Sequence, residues 1–189
     1  AQQHISEANT TVEHLIRDVI NFPGHDFSRN LHASIAEQVN GWWAYGEAES
    51  SYQADCDQVE LTLVDLRFKG EPNDLDFTVV QAGPEKIVAR IGLDLNVKAE
   101  ASFSLSAYDS TDKDYFAVGV ADAEMERDME FSALVTFEGD FEKDEVRATE
   151  VEIVEGPASV NFGSVEPDYG EPEAWDPPDA VEAPDLEPE

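Results

Sequence analysis

The densest group of metal-type ligands in the chain is Asp109-Ser110-Thr111-Asp112-Lys113-Asp114, where three carboxylates fall within one short polar segment. Hard cations such as Ca²⁺ take oxygen ligands, so Asp109, Asp112 and Asp114 would supply part of a calcium shell. The segment lacks the glycine at its sixth position and the glutamate at its twelfth that an EF-hand loop requires, and Lys113 stands inside it. A solvated acidic turn is the plainer reading. No other cofactor has support in the sequence.

The remaining reactive side chains do not assemble into a motif. The four histidines are His4, His14, His25 and His32, and none has the spacing of a zinc-binding helix pair. His25-Asp26 would serve as a base with an orienting acid, but no nucleophile can be identified for it. Phosphate-binding loops, the Gly-rich dinucleotide fingerprint and the Gly-x-Ser-x-Gly elbow are all missing from the sequence. Acidic pairs such as Glu150 and Glu152 share one strand face, yet with 43 acids in 189 residues such pairs arise by chance. The residue types argue for a non-catalytic chain.

Charge is the dominant property. Forty-three acids against 11 bases leave a formal net charge of −32. Such a surface repels nucleic-acid backbones and anionic membranes, which excludes direct contact with either. Three readings compete: a solvated surface suited to high salt, with which the five lysines agree; a face for a basic protein surface; and mimicry of nucleic acid. A single cysteine, Cys56, excludes an internal disulfide framework. With no apolar run long enough for a membrane span and no leader pattern after Ala1, a cytoplasmic location is expected.

The elements that must carry these residues show in the hydrophobic period. Val12, Leu15, Ile16, Val19 and Ile20 recur at helical spacing, with Thr10 and Glu13 as a capping box and Phe22-Pro23-Gly24 as the stop. Leu31, Ile35, Ala36 and Val39 predict a second helix ending near Gly41, and Trp42, Trp43 and Tyr45 are expected to pack the helices on a sheet. The period then becomes two. Every odd position from Ile87 to Ala107 is apolar, which puts one strand face on a core and the other in water. That run exceeds ordinary strand length, so a bend is expected near Gly92. Shorter alternating runs lie at Val59–Phe68 (with a parity slip that predicts a bulge near Val64), Leu75–Val79, Phe116–Val120, Met129–Phe137 and Val146–Ile153, with Gly156-Pro157 closing the domain.

The predicted architecture is mainly β (α+β): an antiparallel sheet or β-sandwich of five to seven strands over 51–165. Residues 1–50 form a helical region packed on it, and 166–189 form a disordered acidic tail. The tail holds ten acids, no base and six of the ten prolines. Trp175 is its one large apolar side chain and the candidate for docking onto a partner.

The alternating strand Lys86–Ala107 with its Tyr108-Asp109 turn and further acids, followed by the alternating strands of Glu124–Glu155, resembles the acidic β domain found C-terminal to some bacterial PIN-like nuclease domains. The strand Asp55–Phe68 would lead into it, and the likeness covers about half the chain. In that family an N-terminal α/β domain cleaves RNA with clustered acids and Mg²⁺ or Mn²⁺. Residues 1–50 are too few for such a domain, so no catalytic residue carries over. The resemblance implies the accessory part of a PIN-like ribonuclease system, a binding or regulatory module that holds a basic protein surface; the alternative is a free-standing nucleic-acid mimic.

Overall fold

The alternation at Ile87–Ala107 is realised as one unbroken strand, around which the rest of the protein is arranged. The computed structural model describes residues 2–168 apart from 57, 72, 73, 142 and 144. In chain order its elements are α1 (Gln2–Asn21), α2 (Asp26–Asn40), β1 (Tyr45–Glu49), β2 (Gln53–Asp55), β3 (Glu60–Phe68), β4 (Gly70–Glu71), β5 (Asp74–Leu75), β6 (Phe77–Ala82), β7 (Lys86–Asp109), β8 (Asp114–Asp140), β9 (Glu145–Glu155) and β10 (Ser159–Ser164).

β7 and β8 pair antiparallel from Lys86↔Glu138 to Asp109↔Asp114, with one register shift between Leu105 and Ser106. The 24 residues of β7 span roughly 80 Å at strand rise. The other edge of β7 is covered by three short strands in succession: β6 against Ile87–Ile91, β3 against Leu93–Glu100 and β2 against Ser104–Ser106. β9 pairs with only the last part of β8, Ser132–Asp140. These six strands form one antiparallel sheet; β1 and β10 make a separate parallel pair, and β4 with β5 a small hairpin.

One face of the sheet is the core. Ile87, Ala89, Ile91, Leu93, Leu95, Val97, Ala99, Phe103 and Leu105 are buried, as are Met129, Phe131, Ala133, Val135 and Phe137 beside them on β8. Over one half of this face lie the helices, α1 on β6 and α2 across β3 and β9, burying Val12, Ile16 and Val19 and then Leu31, Ile35 and Val39. Each such side chain contributes roughly 1.5–3 kcal/mol, whereas the α1 ion pair Glu13–Arg17 on the surface adds a few tenths. Packing, not charge, holds the helices down. Over the other half lies the β1–β10 ribbon, whose Phe162 meets Phe103 edge-on at 5.6 Å. Gly46 of β1 allows this approach, because a Cβ there would sit 2.7 Å from Cys56 Sγ. Among the described residues no helix is long and apolar enough to cross a membrane.

Several expectations are corrected. Thr10 does not cap a helix: α1 already begins at Gln2, and the Thr10 hydroxyl donates to Ser6 O. The expected bend near Gly92 is not among these corrections: Gly92 lies inside β7, at the point where its partner changes from β3 to β6. The stretches Phe116–Val120 and Met129–Phe137 belong to one strand, β8. A further strand, β10, follows Gly156-Pro157, and β1 lies within the region read as helical. The aromatic cluster divides: Trp42 packs on Phe131 and donates its indole N–H to Pro157 O, while Trp43 and Tyr45 meet edge to face in the open. The bulge near Val64 is present, as a register shift between Leu63 and Asp65.

Candidate functional site

With one sheet face taken by the core, the even-numbered side chains along the middle of β7 and β8 stand on the opposite, open face. On β7 these include Arg90, Asp94, Asn96, Lys98, Glu100, Ser102 and Ser104; on β8 they are Asp122, Glu124, Glu126, Asp128 and Glu130. The five β8 carboxylates recur at every second residue, about 6.7 Å apart at strand rise. They form the longest regular charge row of the described residues.

The few bases on this face hold those acids in place. Arg67 donates to Asp128, Lys69 to Glu130 at 2.7 Å, and Lys98 reaches Glu124 at 3.1 Å and Glu100 at 3.0 Å. Asn96 Nδ2 also donates to Asp128, at 3.1 Å, and the Ser102 hydroxyl to Asp122, at 2.7 Å. The Arg67 hydrogen bond, with that of Asn96, holds the Asp128 carboxyl below the usual carboxylate range. The Lys98 ammonium is held above its ordinary value by its hydrogen bonds to Glu100 and Glu124, and that of Lys69 by Glu130. Exposed pairs of this kind add at most about 1 kcal/mol each. Their consequence is geometric: the carboxylates are oriented yet stay open to solvent, Glu124 and Glu130 each keeping more than 70% of their side-chain surface. Glu126 has no salt bridge among the described residues.

Beside this row the gap between β2 and β3 leaves a shallow groove of about 650 Å³. Asp55, Glu60, Glu100, Asp122 and Glu124 line it together with Ser102 and Ser104, and no base does. Its lining is therefore wholly acidic or neutral.

The residues singled out from sequence lie elsewhere. Asp109, Asp112 and Asp114 form the tip of the β7–β8 hairpin. There Asp109 accepts the Thr111 N–H at 2.7 Å, Asp114 accepts the Tyr115 N–H at 2.8 Å, and Lys113 takes a left-handed conformation with φ 57°. The Thr111 backbone bond holds the Asp109 carboxyl low. Among the described residues no three His, Cys, Asp or Glu side chains are grouped so as to hold a metal ion. His25 is the N-cap of α2, its Nδ1 accepting the Phe27 N–H, and Asp26 pairs with Arg29. Glu150 and Glu152 stand on the open face of β9, opposite Thr136 and Leu134. Trp175 lies outside the described residues. The β8 row was missed although its signal is in the sequence: acids at 122, 124, 126, 128 and 130 alternate with Ala121, Ala123, Met125, Arg127 and Met129. No family model, curated protein or solved structure matches the chain.

Proposed function

We propose that the protein is a non-catalytic acidic binding module, in which the open sheet face holds a basic protein surface. The observation that carries this reading is the β8 carboxylate row, of which Asp128, Glu130 and Glu124 are oriented by Arg67, Lys69 and Lys98, and which is continuous with the base-free groove of Asp55, Glu60 and Glu100. A rigid row of like charge complements a cationic surface and speeds its encounter. The likeness to the acidic β domain of PIN-like nucleases supplies a setting, that of an accessory, regulatory part of a ribonuclease system.

The regular spacing of the row favours one second reading, a nucleic-acid mimic, since it repeats negative charge along a line as a phosphate backbone does. Titration with an oligo-arginine peptide, followed by amide chemical shifts, tests the common element. Perturbations should centre on Glu100, Asp122 and Glu124; shifts of equal size over α1 and β9 would reject the site. Capture experiments with and without added DNA separate the readings. A mimic loses its protein partner to DNA, whereas a module dedicated to one basic partner retains it.

A further inference from the structure

The β8 strand has a second property besides its charge. β7 pairs with one of its edges along the whole length, but β9 covers the other edge only from Ser132 onward. Toward the hairpin tip the described residues reach it at Pro167 and Asp168, where the Asp168 N–H approaches Val120 O at 3.5 Å. Between Ala121 and Phe131 the outer edge therefore has no strand partner among the described residues, and most of the side chains flanking it are exposed or half-buried. An unpaired edge of this length presents a row of N–H and C=O groups that another strand can complete.

We infer that this edge receives an extended segment of a partner protein as an added strand, with Lys or Arg at alternate positions and apolar residues between them. The inference rests on the acidic-module reading and specifies how the partner is engaged. Charge complementarity selects the occupant. On the open face the incoming side chains meet Asp122, Glu124, Glu126, Asp128 and Glu130, which call for cations directly opposite. On the other face they meet Ala123 and the half-buried Met125, which accept small apolar groups, and beyond them the exposed Arg127, which calls for an uncharged or acidic residue at that one position.

The same row disfavours other occupants. A second copy paired antiparallel about Glu126 would set Asp122 against Glu130 and Glu124 against Asp128, like charges directly opposite. The chain's own continuation beyond Asp168 brings further acids and prolines at 172, 177 and 178, and proline lacks the N–H that a ladder requires.

The test uses the full chain and a nine-residue peptide of alternating lysine and valine. The control is the same peptide N-methylated at every backbone nitrogen, which keeps the charge and removes the donors. The parent should bind at least ~10-fold more tightly than the control and slow hydrogen exchange at alternate amides between Ala121 and Glu130. The double variant Glu124→Lys/Glu126→Lys, shown to be folded by a wild-type circular dichroism spectrum and a cooperative melt, should lose that preference. Equal binding of the two peptides would overturn strand addition and leave the acidic-module reading standing; binding of neither would overturn both. Protection of these amides in the free protein would overturn the inference in favour of the chain itself. If it rises with protein concentration it assigns the edge to a second copy, and if it vanishes on truncation after Asp168 it assigns the edge to the chain's own continuation.

Discussion

Gly92 and Asp76 are packed so closely that a Cβ on the glycine would sit 2.6 Å from Asp76 Oδ2 and 3.2 Å from Asp76 Cβ. The contact is fixed by the backbone, since the Gly92 N–H donates to Asp76 O at 2.8 Å while Gly92 O accepts the Lys69 N–H at 2.9 Å. At this point β7 passes from β3 to β6, and the intervening β4–β5 hairpin is turned out of the sheet.

Gly92→Ala should therefore destabilise the protein by about 1–3 kcal/mol, the usual cost of overpacking. Urea denaturation measures it. In an Asp76→Ala background the same substitution should cost clearly less, because the nearest two atoms of the clash are gone. Equal costs in both backgrounds would place the strain elsewhere.

Leu95 and Asn96 are adjacent in sequence and opposite in fate. Leu95 is fully buried across from Met129 and Leu66, so Leu95→Asp buries an unpaired charge and should cost about 3–5 kcal/mol. Asn96→Asp stays on the open face but removes the donor to Asp128 and adds a like charge beside it, for about 0.5–1 kcal/mol. Thermal shifts of equal size for the two would sink the face assignment.

The sheet was readable wherever burial imposed a strong contrast. Ile87–Ala107 carries large apolar residues at one parity, and the structure keeps that parity in the core. The middle of β8 was not readable in the same way, because Ala121, Ala123 and Met125 are small or adaptable and Arg127 breaks the apolar parity; only the acids mark the period. β1 and β10 escaped for a different reason. They pair with each other in parallel across more than a hundred residues, and no local pattern encodes such a pairing. The candidate site suffered from abundance, since in a chain so rich in carboxylates the compact cluster at 109–114 draws notice before an evenly spaced row does.

Asp128 allows a pH test with a defined sign. Its carboxyl is held below the ordinary value, first by the Arg67 hydrogen bond. A carboxyl depressed in the folded state contributes stability that is present above the unfolded value of about 3.9 and lost as the pH falls through the folded value. Melting temperatures of wild type and Asp128→Asn should differ at pH 6 and converge below about pH 4. A gap that stays constant down to pH 2 would show that the Arg67 pair has no part in it.

Truncations separate the tail's first residues from the rest. Pro167 is buried, with a Cβ on Gly119 only 3.4 Å from its own, and Glu166 accepts the Ser51 hydroxyl at 3.2 Å. A chain ending at Val165 should be less stable than one ending at Asp168, by about 1 kcal/mol for the lost burial. Identical urea midpoints for the two would mean that Pro167 contributes nothing.

Salt dependence follows from how the charges are spaced. Residues 1–165 carry 33 acids and 11 bases, the full chain's 43 acids less the ten from Glu166 onward, for a net −22. Neighbouring acids of the β8 row lie about 6.7 Å apart, inside the screening length of about 10 Å at 0.1 M salt but beyond the roughly 3 Å reached at 1 M. Repulsion along the row therefore persists at moderate ionic strength, and the melting temperature should keep rising between 0.1 and 1 M NaCl rather than level off. Loss of the exposed pairs of Lys69 and Lys98 opposes this only weakly, each being worth at most about 1 kcal/mol. Glu126 isolates the effect, since it has no salt bridge to lose among the described residues. Glu126→Gln should raise the melting temperature at low salt, and the gain should shrink steadily as salt is added. A gain independent of salt, or a flat wild-type response, would show that the row is not under electrostatic strain and that its acids are spaced widely enough to ignore one another.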